Sequence, residues 1–123
     1  LVIEGERYDL QFGATGQIGD GEGLNAALAP VPLEFLAGLP GSFFFVIDDL
    51  PAAQTIFTFK KSLDYGATWT TVFTATVEAG QRLATLALAA DFTIPAGALV
   101  RPYGPATHDA TLQSIAAVIA TRR

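Results

Sequence analysis

Few residues of this 123-residue chain have side chains suited to acid–base or nucleophilic chemistry. His108 is the single histidine and cysteine is absent, so a Ser–His–Asp site would have to use His108 as its base. Asp109 follows it directly and is badly placed to orient the neighbouring ring. The sequence favours a turn in which Asp109 accepts hydrogen bonds from its own backbone.

Carboxylates are the second class of candidates for chemistry. A glycosidase needs two of them across a cleft, and the sequence offers five to consider: Glu34, Asp48, Asp49, Asp64 and Asp91. All except Glu34 lie in or beside turn signals, where aspartate serves the backbone. Asp20-Gly21-Glu22 and Asp48-Asp49 each supply two carboxylates and do not match an EF-hand loop. We therefore predict no catalytic residue, no cofactor and no metal ligand, with a loop-bound calcium as an open alternative.

Composition limits the classes of partner. The chain carries 12 Asp and Glu against 7 Lys and Arg, a net charge of −5, which disfavours nucleic acid and anionic membrane surfaces as partners. Its most apolar stretch, Phe43 to Ile47, is too short to cross a bilayer, so no membrane insertion is expected. Half of the residues are hydrophobic and 15% are charged, so the chain either buries an unusual share of its surface or shares a surface with partners. The chain opens on Leu1, so a preceding targeting segment stays an open alternative.

The spacing of turn signals predicts the elements. Short apolar stretches alternate with Gly, Pro and Asp clusters every 8–12 residues or so, as in sandwiches and barrels. We predict one all-β domain over residues 1–123, an antiparallel β-sandwich of Greek-key or jelly-roll type with about eight strands. One strand, Thr68–Val77, alternates clearly and should place the following side chains on one face: Trp69, Thr71, Phe73, Ala75 and Val77.

Two segments leave the type of element open, and the position of a third follows from its proline. Leu24 to Leu28 suits either a strand or a helical turn. Leu112 to Ala120 has the spacing of a helical stripe as well as that of a strand face, so periodicity leaves both open. Leu99 to Tyr103 contains Pro102, which cannot donate a ladder hydrogen bond, and is therefore predicted to be an edge strand.

Ser42 to Ile47 is apolar on both faces and needs cover on both. The sandwich core can cover one face. A neighbouring subunit or a long loop can cover the other, and the sequence favours neither. If a subunit does so, the oligomer interface would involve Phe43, Phe44 and Phe45.

Residues 62–69 form a specific local pattern, Ser-x-Asp-x-Gly-x-Thr-Trp, which resembles the Asp-box of sialidases and related β-propellers. The pattern predicts a structural hairpin built by Ser62, Asp64, Gly66, Thr68 and Trp69. In this hairpin the aspartate caps the turn and glycine takes a left-handed conformation. With a single copy we infer the hairpin and not an activity. Packing of Trp69 in the core is favoured over sugar binding, and Tyr65 at the tip is the better-exposed aromatic.

The order of four further motifs resembles a β domain of short bacteriophage tail-fibre and virion-associated structural proteins. The motifs lie at Thr55 to Ser62, Val77 to Gln81, Phe92 to Leu99 and Pro105 to Leu112. The resemblance implies a non-enzymatic structural or adhesive virion protein, tail or fibre associated and usually a homotrimer. It would assemble in the host cytoplasm with other virion proteins, and a cell-surface glycan is an implied partner. A carbohydrate-binding module and a head decoration protein are the alternatives.

Overall fold

A computed structural model of the chain describes residues 6–107 and 109–123. Within this part every regular element is a strand, which confirms the all-β prediction. Ten strands are present rather than about eight, because several are only two or three residues long. In chain order they are β1 Arg7–Gln17, β2 Ala27–Leu28, β3 Leu33–Phe35, β4 Phe43–Val46, β5 Thr55–Ser62, β6 Thr70–Val77, β7 Thr85–Ala87, β8 Phe92–Ile94, β9 Leu99–Tyr103 and β10 Gln113–Arg122.

The strands form two five-stranded antiparallel sheets. The first sheet has the order β1-β10-β3-β8. Its fifth strand, β4, pairs with an earlier part of β10 than β3 does. The second sheet has the order β2-β9-β5-β6-β7. The first and last strands pair with each other, and the strands between them are shared out between the two sheets. This is the strand arrangement of a jelly roll, one of the two types that the sequence predicts.

The core lies between the inward faces of the two sheets. Phe57, Phe59 and Phe73 are almost completely buried, as the alternation of β5 and β6 predicts. The Phe59 ring lies 4.5 Å from the ring of Phe73 and 5.4 Å from that of Phe12 on β1, measured between centroids. Aromatic contacts of this kind hold the first sheet to the second.

The last segment is a strand because β1 provides a partner for nearly its whole length. The pairing runs from Arg7 opposite Arg122 to Gln17 opposite Gln113. The strand buries every second side chain along its middle, at Ile115, Ala117 and Ile119. A helix would have left the long strand β1 without this neighbour, so tertiary pairing decides what periodicity left open.

The prediction that β9 is an edge strand is wrong. β9 lies between β2 and β5, and Pro102 is opposite Phe59 of β5. The carbonyl of Pro102 accepts a hydrogen bond from Leu24 N (2.9 Å), so its backbone polar groups point away from β5. The missing N–H therefore faces the segment before β2 and removes no bond between β9 and β5.

Candidate functional surfaces

The turn between β5 and β6 is organised around the carboxylate of Asp64. It accepts hydrogen bonds from Thr68 N (2.8 Å), from the Thr68 hydroxyl (2.5 Å) and from the Ser62 hydroxyl (2.8 Å). Ser62 Oγ in turn accepts from Gly66 N at 2.8 Å. The hydrogen bond from the Thr68 hydroxyl is the largest of several that lower the pKa of Asp64 from 3.8 to about 2, since each favours the ionised form.

The backbone of this turn uses the left-handed conformation at two consecutive positions. Tyr65 has φ 61° and Gly66 has φ 92°, and the Tyr65 side chain is 92% exposed at the tip. The indole Nε1 of Trp69 donates to Gly66 O at 3.0 Å. The motif is thus a self-contained turn, because four of its side chains make hydrogen bonds within it: Ser62, Asp64, Thr68 and Trp69.

Trp69 is half-buried and lies outside the main core, so its predicted core position is wrong. The reason is a β-bulge. Phe59 is opposite Phe73, but the next residue of β5, Lys60, is opposite Thr71, which leaves Val72 as an extra residue in β6. The extra residue turns every side chain of this strand that precedes it to the opposite face of the sheet. Trp69 and Thr71 therefore point to the outer side of the second sheet, whereas Phe73, Ala75 and Val77 face inward as predicted.

On this outer side Trp69 joins two cations and a second aromatic ring. The guanidinium carbon of Arg101 lies 4.9 Å from the Trp69 ring centroid, and Lys60 Nζ lies 4.7 Å from that of Tyr103. The two rings are 5.9 Å apart in an edge-to-face arrangement. We call Lys60, Trp69, Arg101 and Tyr103 the aromatic–cation cluster. All four side chains are partly exposed.

The outer side of the first sheet carries an apolar surface. β4 buries Phe44 and Val46 completely, whereas Phe43 is 52% and Phe45 39% exposed. The run is therefore apolar on both faces, as predicted, and Phe44 belongs to the core rather than to an interface. Phe43 and Phe45 stack with centroids 5.9 Å apart, and exposed Ile47 and Leu83 adjoin them. We call Phe43, Phe45, Ile47 and Leu83 the apolar face.

A shallow groove of about 350 Å³ runs beside the stacked rings. Phe43 and Phe45 form one wall, Ala116 and Val118 of β10 line the bottom, and Gln11 of β1 stands on the far side. The groove is lined mainly by apolar atoms, and small side chains form its floor. The rings of Phe43 and Phe45 therefore form a ridge on the sheet face. Directly beside it lies a groove whose floor is formed by Ala116 and Val118.

Asp109 ties two loops together. Its carboxylate accepts from the backbone N of Ala52 and Ala53, both at 3.0 Å, and from Thr111 N at 2.9 Å and the Thr111 hydroxyl at 2.6 Å. The Thr111 hydroxyl is the largest influence that lowers its pKa from 3.8 to about 2. The predicted backbone role of Asp109 is confirmed. His108, the candidate base, lies outside the described residues.

The remaining carboxylates show no sign of a shared centre. Asp91 accepts from Ala37 N at 2.6 Å, again a bond to a loop backbone. In residues 6–107 and 109–123, no three acidic or histidine side chains come together in a way that suits a metal ion. That same part of the chain has no helix with the length and apolarity needed to traverse a bilayer.

Comparison with known proteins gives fold-level similarity only. No family model matches the sequence, and no curated protein does. Among solved structures, the chain is similar to a protein of the Bacillus endospore appendages, described as disulfide-linked pili (15% identity, TM-score 0.46, 98% of this chain and 91% of that one). It is also similar to the CBM22-1–GH10 modules of Clostridium thermocellum xylanase 10B, solved with xylohexaose (12% identity, TM-score 0.43, 99% of this chain and 28% of that one). At these TM-scores neither similarity bears on what this chain does.

Proposed function

We propose that this chain is a non-enzymatic structural or adhesive module that works by assembling with copies of itself, as a tail- or fibre-associated component of a phage virion. The observation that carries the proposal is the apolar face, four large hydrophobic side chains that are each 39–55% exposed. Such a cluster on a monomer marks an interaction surface more often than an accident of packing.

Covering this face is energetically worthwhile. Fully burying a Phe, Leu or Ile side chain contributes about 1.5–3 kcal/mol, and these four are already about half covered. Burying the rest would add about 1 kcal/mol each, or roughly 4 kcal/mol per copy. That is enough to change an association constant by about three orders of magnitude. Within the described residues no loop packs over Phe43 or Phe45, which leaves a second molecule to provide the cover.

A second copy is the occupant that fits. The Phe43–Phe45 ridge lies next to a groove with a floor of Ala116 and Val118, so one copy can insert its ridge into the groove of the next. A surface that presents both halves of a contact suits self-association. Association by pairing along the edge of β1 is less suited. Along the free edge of β1 the Asn25 side chain accepts from Gly13 N (3.0 Å) and donates to Gln11 O (3.3 Å), occupying two groups that an added strand would need.

The phage assignment, the trimer and the virion location come from the resemblance of the motif order to phage tail-fibre and virion-associated domains. Assembly in the host cytoplasm, contacts with other virion proteins and attachment to a cell-surface glycan belong to the same proposal. In that setting an apolar outer sheet face is covered in the assembled particle, which accounts for its exposure in the isolated chain.

Sedimentation equilibrium across a micromolar dilution series tests the proposal. We expect the unmodified chain to form a trimer and the double variant Phe43→Thr, Phe45→Thr to associate at least about tenfold more weakly, because two of the four covered apolar side chains are lost. Ile56→Thr is the matched control: Ile56 is 45% exposed on the other sheet, so the variant should associate normally. A chain that is monomeric throughout, or a double variant that still associates fully, would contradict the proposal.

A carbohydrate-binding module is the second candidate. It is favoured by the aromatic–cation cluster on the outer side of the second sheet, where a pyranose ring can stack on an aromatic side chain. A monomeric chain that still binds a saccharide would favour this candidate over the virion component.

A further inference from the structure

The aromatic–cation cluster contains two like charges at directly opposite positions of neighbouring strands. Lys60 of β5 lies opposite Arg101 of β9, and like charges opposite each other destabilise a sheet. No ion pair with a carboxylate is found for either side chain within residues 6–107 and 109–123, whereas Arg7 pairs with Asp9 and Arg123 pairs with Glu6. The chain has an excess of five acidic charges, so acidic residues are available and yet do not pair with these two cations.

The two aromatic rings offset the repulsion between the two cations. Arg101 lies over Trp69 and Lys60 over Tyr103, and such contacts are worth about 0.5–1 kcal/mol at exposed sites. The Nε of Arg101 is buried without a hydrogen-bond acceptor among the described residues. A ligand on the open sheet face would therefore meet the partly exposed remainder of the Arg101 guanidinium, which lies beside a second cation and can bind an anion.

The surroundings of the cluster supply hydroxyl groups. Thr58 lies opposite Tyr103, and Thr71 lies opposite Lys60 on the strand at the other side. Threonine hydroxyls can both donate and accept hydrogen bonds. The site thus combines aromatic rings, two cations and hydroxyls on one open sheet face.

From this combination we infer that the outer face of the second sheet binds an anionic saccharide, one whose sugar ring carries a carboxylate. The apolar C–H face of the sugar would stack on the exposed part of Trp69 or Tyr103. Its carboxylate would accept hydrogen bonds from Arg101 and Lys60, and its hydroxyls would pair with the threonines. The inference deepens the adhesive part of the proposed function and rests on it, but it uses the sheet opposite to the apolar face.

A nucleic acid offers the same two features, a flat ring and an anion. It is disfavoured because a strand extends well beyond two cations and would meet a surface whose net charge is −5. Affinity for nucleic acid comes largely from neutralising several phosphates, and this cluster supplies two charges.

Titration of the full chain with tri-galacturonic acid, followed by intrinsic fluorescence, tests the inference, because Trp69 is the one tryptophan of the chain and reports from within the site. The methyl ester of tri-galacturonic acid is the matched neutral probe, and 3′-sialyllactose against lactose gives a second acidic and neutral pair. We expect at least one acidic probe to bind at least about tenfold more tightly than its neutral partner. Arg101→Gln should remove at least about tenfold of that affinity, as loss of a charge-assisted hydrogen bond does.

Lys60→Gln is the second variant and should weaken binding severalfold while keeping the strand residue polar and similar in length. Circular dichroism melting verifies that both variants are folded, and Asp9→Asn on the first sheet serves as a control that should bind normally. Equal binding of acidic and neutral probes, no binding of either acidic probe, unchanged affinity in both folded variants, or tighter binding of oligothymidylate than of any acidic sugar would each overturn the inference. The sedimentation result on the Phe43 and Phe45 variant is read separately, so failure of assembly and failure of sugar binding are distinguishable.

Discussion

Two neighbouring residues of β4, Phe43 and Phe44, should lose very different amounts of stability on the same substitution. Phe44 is completely buried, and its ring lies 4.9 Å from that of Phe57 and 6.1 Å from that of Phe59. Phe44→Ala removes these contacts and leaves a cavity between the sheets, which costs about 3–5 kcal/mol. Since a domain of this size is stable by about 5–15 kcal/mol, the variant should lose a large share of its stability or fail to fold.

Phe43→Ala changes the same atoms one residue away, on the opposite face. Its side chain is 52% exposed and its main neighbour is the ring of Phe45. The expected loss of unfolding free energy is below about 1 kcal/mol, as for most surface substitutions. Phe43 and Phe44 therefore form a matched pair in which strand propensity and side-chain chemistry are held constant.

Urea unfolding followed by circular dichroism and fluorescence measures both free energies. The protein must be dilute enough to be monomeric, because self-association would stabilise the folded state by mass action and inflate the apparent role of Phe43. Similar losses for the two variants would refute the facing of β4 and, with it, the apolar face itself. A larger loss for Phe43 would mean that the strand is paired in a register shifted by one residue.

The remaining predictions concern the turn built around Asp64 and the loops held by Asp109. Asp64→Asn should lower the melting temperature without a change in sugar affinity; a loss of affinity at unchanged melting temperature would contradict the structural role of the turn. Gly66→Ala should cost about 1–2 kcal/mol in chemical denaturation, since a side chain is strained at positive φ, and an unchanged midpoint would argue against the left-handed turn. Asp64 and Asp109 both have a pKa near 2 in the folded state, below the ordinary value. Protons therefore bind the unfolded state first, and stability should be constant above about pH 5 and fall toward pH 2. An acid titration of stability that is flat over this range would show that these hydrogen bonds contribute nothing.

The interior of the sandwich was predictable because alternation is a direct consequence of strand geometry. Phe57 and Phe59 of β5, and Phe73 and Val77 of β6, are buried as their spacing predicts. The bulge at Val72 was not predictable, since one extra residue in a strand leaves no mark in a run of threonine and apolar residues. That single residue moves Trp69 from the expected core position to the outer face.

Local rules also failed where a distant segment decided the outcome. Pro102 predicts an edge strand, yet β9 is internal. The missing N–H of Pro102 is tolerated there because it faces residues that precede the start of β2. The aromatic–cation cluster could not be read from the sequence for the same reason. Lys60, Trp69 and Arg101 are brought together by the β5–β9 register and by the bulge, and neither is encoded in the spacing of the three residues along the chain.

The two surfaces lie on opposite sheets, and this separation has a physical consequence for adhesion. An assembly that covers the apolar face of the first sheet leaves the outer face of the second sheet free in every copy. A trimer would then present three aromatic–cation clusters on one rigid body, and a polymeric anionic glycan could engage them together. Linked sites raise the apparent affinity by about 10²–10⁴ without any new contact when the geometry permits joint engagement. Weak individual sites of the size of this open cluster would thus be sufficient for attachment, and the assembly face would determine adhesion without touching the ligand.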